Sequence, residues 1–277
     1  MRVAVCYFTG TGNTATAARE IADRFGPDNP TDLYNIELLP ATVDPDFLAR
    51  YDLVGLGSPV YAYNEPPAFT RFLRELPPGN GKPSFLFMTA GQDPEACLAQ
   101  PVRTLRRKGY DLRATVCLFM PGNVGCYWFE GDEMVFRFLS PTRRFSTRDM
   151  ERERRERIDR LVRSLLDGRT EYESVTPWQR FVSWSLRGAF HHAAAPLMKL
   201  LPYTAGGCNL CGICVQTCPT QSISILNRRV RFSTSCTVCV RCLNVCPEHA
   251  IRVRWPLSVL NRPKQYLSPG WSPPKHD

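Results

Sequence analysis

Val3-Ala4-Val5-Cys6-Tyr7-Phe8, then Thr9-Gly10-Thr11-Gly12-Asn13-Thr14, then a helical-looking run over 15–25 that ends at Gly26-Pro27: this opening stretch reads as strand, turn and helix. The unbroken apolar run is that of a strand buried on both faces. A glycine turn delivering the chain into a helix N-terminus is an anion site, because free backbone N–H groups and the helix dipole both favour phosphate. Three threonine hydroxyls and the Asn13 amide add donors, and the loop itself holds no Lys or Arg. The segment Gly10-Thr11-Gly12-Asn13-Thr14-Ala15 also fits the dinucleotide pattern G-x-G-x-x-A, with Glu37 near the place of a ribose-binding acid. The density of hydroxyls favours a terminal phosphate over a bridging pyrophosphate. A plain glycine turn of any α/β chain is the third reading.

Working outward, strands are expected over 31–38, 51–56, 84–88 and 112–120, and helices over 66–76 and 94–108. Pro66-Pro67 starts the first of those helices and Gly109 stops the second. Strands alternating with helices imply a doubly wound parallel sheet of five strands in the order 2-1-3-4-5. In that architecture ligands lie beyond the carboxyl ends of the strands. Three loops fall there: Thr9 to Thr14, then Ser58, Pro59, Val60, Tyr61, Ala62 and Tyr63, then Thr89, Ala90, Gly91 and Gln92. Thr-Gly-Thr-Gly-Asn-Thr after the first strand resembles the FMN phosphate loop of flavodoxins, and the resemblance covers residues 1–168. It implies that these three loops bind FMN, with Tyr61 or Tyr63 stacking on the flavin ring and Tyr61 favoured. The Trp usual in the second loop is absent here.

Near the other end a pattern is written twice. Cys208, Cys211, Cys214 and Cys218 precede Pro219, and Cys236, Cys239, Cys242 and Cys246 precede Pro247. Both runs read C-x2-C-x2-C-x3-C-P, offset by 28 residues. That is the ligand signature of two [4Fe-4S] clusters, in which the fourth Cys of each run ligates the other cluster. One set is then Cys208, Cys211, Cys214 and Cys246, and the other is Cys236, Cys239, Cys242 and Cys218. Zinc sites also use C-x2-C pairs, but two pairs suffice for four ligands, and here each run carries two more cysteines. Disulfides would need an oxidising compartment. Residues 205–255 resemble bacterial two-cluster ferredoxins. Ile223–Leu226 and 230–232 read as a hairpin turning at Asn227 and Arg228.

The 277 residues allow two domains and carry a net charge of +9. Residues 1–168 are neutral overall, with 22 basic and 22 acidic residues, whereas 204–255 hold six Arg against Glu248 alone. Nucleic-acid binding would use such a bias. The better account is that oxidised [4Fe-4S] units, each carrying about −2 with its thiolates, are offset by Arg228, Arg229, Arg231, Arg241, Arg252 and Arg254. A surplus would dock an acidic electron donor. No apolar run is long enough to span a membrane, and none reads as a targeting segment, so cytoplasm is the expected location. The division expected is 1–168 flavodoxin-like, 169–203 a helical linker, 204–255 ferredoxin-like and 256–277 a proline-rich tail.

Thr147–Leu166 reads as a helix with a solvated face of i,i+4 pairs: Glu151/Arg155, Glu153/Arg157, Glu156/Arg160 and Asp159/Arg163. Residues 177–201 carry an apolar stripe from Trp178 to Leu201 that suits a helix between the two modules or, alternatively, a membrane-surface or partner helix. Gly125 to Glu130 is an aromatic cluster suited to a pocket wall or to packing. Cys6 and Cys117 lie within apolar strands as inert packing. The whole resembles flavodoxin–ferredoxin fusion proteins. That resemblance implies a relay of single electrons between two clusters and FMN, served by a low-potential donor (a ferredoxin or a reductase) and a further acceptor. Two other functions fit the same parts: an FMN-dependent reductase of a small oxidised substrate such as a quinone or enone, and a redox sensor.

Overall fold

A computed structural model describes residues 1–40, 44–61, 64–91, 95–123, 127–130, 133–136, 143–174, 199–254, 258, 261 and 265–276. The chain divides into two compact units. The first comprises Met1–Thr9, Asn13–Met120 and Met150–Leu186, and the second Gly10–Gly12, Pro121–Asp149 and Arg187–Asp277.

The first unit is a five-stranded sheet with helices on both faces. Its strands are β1 (Val3–Tyr7), β2 (Thr31–Asn35), β3 (Leu53–Pro59), β4 (Pro83–Ala90) and β5 (Asp111–Phe119). They pair in parallel in the order β2-β1-β3-β4-β5, which is the flavodoxin-like order expected from the sequence. Its helices are α1 (Asn13–Phe25), α2 (Pro45–Ala49), α3 (Pro67–Glu75), α4 (Ala99–Arg107) and α5 (Thr147–Leu166), whose first turn falls in the second unit.

Alternation along the strands builds two cores. Ala4, Cys6, Val54, Leu56, Leu86 and Met88 face Phe69, Phe72, Leu73 and Leu105 of α3 and α4. Val3, Val5, Leu53, Phe85, Phe87 and Val116 face Ile21 of α1 and Ile158, Leu161, Val162 and Leu165 of α5. Each such aliphatic side chain contributes roughly 1.5–3 kcal/mol on burial. Every residue of β3 is buried, and Gly55 and Gly57 pair with Phe85 and Phe87 of β4. A Cβ at either glycine would run into those rings, so two glycines make room for two phenylalanines on the neighbouring strand.

Several boundaries differ from expectation for local reasons. The second strand stops at Asn35, whose side chain accepts from Glu37 N–H at 3.1 Å and starts a 3-10 turn over Ile36–Leu38. Glu37 therefore lies in a turn and not at a strand end. The helix expected over 94–108 is a 3-10 turn, Glu95–Leu98, followed by α4. Pro101 sits in the first turn of α4, where its missing N–H costs nothing.

The solvated face expected of α5 is only partly so. Arg155–Glu151 and Arg157–Glu153 are the i,i+4 pairs foreseen, at 3.9 and 2.7 Å. Arg154 is instead buried and holds Glu20 of α1 with a two-pronged bond, 2.8 and 3.0 Å. Arg157 bridges to Glu173 at 2.8 Å and donates to the Cys117 carbonyl at 3.2 Å. Asp159 pairs with Arg24 of α1.

The second unit contains an antiparallel sheet of β6 (Tyr127–Glu130), β7 (Glu133–Phe136) and β8 (Arg143–Ser146). The expected aromatic cluster forms β6, while Cys126 lies outside the described residues. Its cysteine-bearing part is a duplicated β-α-β unit. The first copy is β9 (Pro202–Thr204), α6 (Ile213–Gln216) and β10 (Ile223–Leu226). The second is β11 (Arg229–Phe232), α7 (Arg241–Val245) and β12 (Ile251–Val253). The outer strands β9 and β12 pair, and so do the inner strands β10 and β11. The hairpin turns at Asn227 and Arg228, both left-handed with φ of 50° and 56°, as a two-residue type I′ turn demands. The linker stripe over 177–198 lies outside the described residues. Of the tail, 265–276 is described, and Ser268 within it is buried.

Candidate functional site

The two cysteine runs share one backbone device. Leu210 and Val238, inside the first C-x2-C of each run, both take positive φ, 61° and 56°. Gly212 and Val240 follow at 77° and 54°, and Gln221 and His249 at 49° and 47°. All three pairs keep the 28-residue offset. Positive φ in a β-branched residue is a true outlier that persists only where the surroundings demand it. Gly212 adopts it freely, but Val240 does so under strain.

One cavity joins cysteines of both runs. Cys208, Cys211 and Cys214 line a single cavity together with Cys246 from the other run. Burial pushes the Cys214 thiol up to about 11, and Cys246, Cys211 and Cys208 add to the rise. Burial likewise pushes Cys239 up to about 12, with Cys236 and Cys218 adding to it against Arg241. Cys242, raised well above the ordinary thiol value chiefly by burial, feels Cys239, Cys236 and Cys218, and Cys214 least. Backbone N–H groups point at the sulfurs: Ser222 N–H at Cys218 Sγ, Val238 N–H at Cys236 Sγ and Ala250 N–H at Cys246 Sγ, each 3.3 Å. The first and last occupy equivalent places in the two copies. Among the described residues, no three Cys, His, Asp or Glu side chains converge on the point that a single metal ion would occupy.

The loops at the strand ends are placed as follows. Thr9, Thr11 and Thr14 are buried, and Asn13 opens α1. Thr14 and Thr89 share a hydroxyl–hydroxyl bond of 2.8 Å, which brings the first and third loops together. Ser58 is buried, with Oγ donating to the Pro59 carbonyl at 3.0 Å. Val60 N–H donates to the Thr89 carbonyl at 2.9 Å, which joins the second loop to the third. Tyr61 and Asn64 close the second loop with a pair of backbone bonds, 2.8 and 3.1 Å. Ala90 accepts from Met120 N–H at 2.9 Å, and Gly91 is half-buried beside it. Ala62, Tyr63 and Gln92 lie outside the described residues.

Gly10–Gly12 pack within the second unit, through partners that sequence reading did not single out. Arg241 Nε donates to Gly10 O at 2.8 Å, Ser268 N–H to Thr11 O at 2.8 Å, and Asn123 Nδ2 to Thr11 Oγ1 at 3.0 Å. Gly12 has φ of 100°, and a Cβ there would meet Ser268 at 2.7 Å and Trp271 at 2.8 Å. The available signal was a lone tryptophan inside the proline-rich segment Ser268-Pro269-Gly270-Trp271-Ser272-Pro273.

No protein-family model matches the chain. A curated relative, the uncharacterized protein MJ0298 of Methanocaldococcus jannaschii, is 37% identical over 79 residues, 28% of this chain. The chain spans about half the length of that relative, 47% of it. Similar solved structures include a flavodoxin from the domain Archaea, at 14% identity and TM-score 0.39 over 60% of this chain and 99% of that one. Another is the two-electron reduced flavodoxin of Megasphaera elsdenii, at 23% identity and TM-score 0.37 over 42% and 84%. A third is a short-chain flavodoxin associated with a bacterial microcompartment, at 14% identity and TM-score 0.43 over 61% and 98%. The fold assignment rests on the strand order of the sheet. Among the described residues no helix is long and apolar enough to cross a membrane.

Proposed function

We propose that the chain is an electron-transfer protein. In this reading the cysteines hold two [4Fe-4S] clusters, the three strand-end loops hold FMN, and single electrons pass between them. The supporting observation is the cavity that Cys246 shares with Cys208, Cys211 and Cys214. Three cysteines from one run and the last from the other is the ligand pattern of a two-cluster ferredoxin. When bound, these groups supply one-electron relay coupled to a carrier of one or two electrons.

The residues fit that cargo. Ligation by a metal deprotonates a thiol outright and would override the rise in pKa that burial gives Cys214 and Cys239. N–H groups aimed at Cys218, Cys236 and Cys246 stabilise sulfur that carries negative charge and tune the potential. A cube of four irons also keeps its thiolates farther apart than a single ion would, which accords with sulfurs grouped around a cavity. Leu210, Val238 and Val240 hold strained conformations of the kind stored at sites whose occupant matters. At the other site, the start of α1 and the buried hydroxyls of Thr9, Thr11 and Thr14 suit a phosphate. Arg228, Arg229 and Arg231 are exposed on the hairpin beside Ile225 and Leu226, a basic and apolar face suited to an acidic one-electron carrier.

The test is the composition of protein purified without oxygen. About eight iron and eight acid-labile sulfide per chain are expected from two four-iron clusters, with one FMN. Zinc in place of iron would reject the cluster half, and absence of flavin after reconstitution with FMN would reject the other.

A further inference from the structure

Arg241 is the most deeply buried charged side chain among the described residues, 1% exposed. It stands between Cys239 and Cys242 and opens α7. Its Nε donates to Gly10 O at 2.8 Å and its Nη1 to Thr217 O at 2.7 Å, while the guanidinium lies 5.6 Å from the centre of the Trp271 ring. Pinned on two carbonyls and an aromatic face, it cannot swing out to water, and a charge so buried acts strongly on its neighbours. Lys199 adds positive charge near Cys236.

The other cysteine set has a different environment. The residue 28 positions before Arg241 is Ile213, which carries no charge. The wall of the Cys208, Cys211, Cys214 and Cys246 cavity includes Glu248, whose Oε1 accepts from Asn209 at 3.0 Å. The equivalent of Glu248 in the first copy is the neutral Thr220. The duplication is symmetric in backbone and asymmetric in charge.

Resting on the function proposed above, we propose that Arg241 sets the direction of electron flow within the iron–sulfur unit. It holds the cluster of Cys218, Cys236, Cys239 and Cys242 at the higher reduction potential of the two. Positive charge beside a cluster stabilises the form that carries the extra electron, so its potential rises, and Glu248 acts in the opposite sense on the other set. With both clusters bound, an electron supplied by a low-potential one-electron carrier would settle on the Cys236 set. No bond forms or breaks and no proton is required. Arg241 acts through charge and ligates nothing, so it is a positioning residue for the relay.

The test is a redox titration of the full chain without oxygen, followed by electron paramagnetic resonance and accompanied by iron analysis. Two separate one-electron steps are expected. The signal appearing first should be the one altered or lost in Cys236→Ser and kept in Cys208→Ser. Arg241→Gln should lower the upper step, leave the lower one in place and narrow the gap, while Arg241→Lys should preserve most of it. A first signal that belongs to the Cys208 set would overturn the proposal, as would an unchanged gap in an Arg241→Gln protein with full iron. Should Arg241→Gln fail to retain iron, the order of reduction in the native chain decides alone. Failure of the broader reading shows separately, as native protein without about eight iron.

Discussion

Cys214 and Cys246 line one cavity although they belong to different runs of the cysteine pattern. The last cysteine of the second run thus lies with the first three of the first run, and under the function proposed above the two copies would not be loaded independently.

Single ligand changes should report that crossing. Cys246→Ser is expected to impair the cluster of Cys208, Cys211 and Cys214, and Cys218→Ser that of Cys236, Cys239 and Cys242. Resonance spectra of the two variants, compared with the native chain, check it. Damage confined to the run that carries the substitution would reject the crossed arrangement.

Gly12→Ala should disturb the first loop twice over. The left-handed φ of 100° disfavours a side chain, and the new methyl meets Ser268 and Trp271. A loss of about 1–3 kcal/mol is expected, with weaker FMN retention. Thermal unfolding and FMN titration measure both. Trp271→Ala combined with Gly12→Ala should recover little of the loss, because the Cβ atoms of Ser268 and residue 271, at 2.7 and 2.8 Å, both remain.

Arg154 and Arg155 are adjacent arginines of α5 with opposite fates. Arg154→Ala removes a buried partner of the half-buried Glu20 and should cost about 1.5–3 kcal/mol, the range for hydrogen bonds to a charged group. Arg155→Ala, at a side chain 71% exposed, should stay within about 0.5 kcal/mol of the parent. Denaturant melts of the two variants decide it, and equal effects would contradict the burial assigned to Arg154.

Alkaline pH should weaken the first unit. Burial pushes the Cys6 thiol up to about 12 from 9.0, and the Tyr110 phenol up to about 12, with Cys6 adding to it. The unfolded chain loses the Cys6 proton near pH 9.0 while the folded chain keeps it. The folded state then binds more protons, so stability falls as pH rises from 9 towards 12. Cys6→Ala should reduce that slope by about one proton, as read from unfolding free energies at a series of pH values.

The sheet order was legible because β1, β3, β4 and β5 are apolar runs separated by helix-period segments, and that pattern admits few topologies. Helix α5 was legible to the residue, since its charge pairs and apolar face share one period. Which of its arginines face inward was not: Glu20 lies more than a hundred residues away, and no local pattern announces it. The strand boundary at Asn35 was missed because a single side-chain cap outweighed the apolar run beyond it. In the candidate site, cysteine spacing pointed to the grouping of Cys246 with Cys208, Cys211 and Cys214, while Arg241 was counted with its neighbours as a diffuse offset of charge. Its burial depends on the Gly10 and Thr217 carbonyls and on Trp271, a conjunction that only the folded chain brings about.

The paired left-handed positions leave the two copies unequally durable. Where the first has Gly212, relaxed in its bend, the second has Val240, a branched residue kept there by force. Were the iron proposed above stripped by chelator or air, that spring would be released, and the later half of the repeat should slacken before the earlier half.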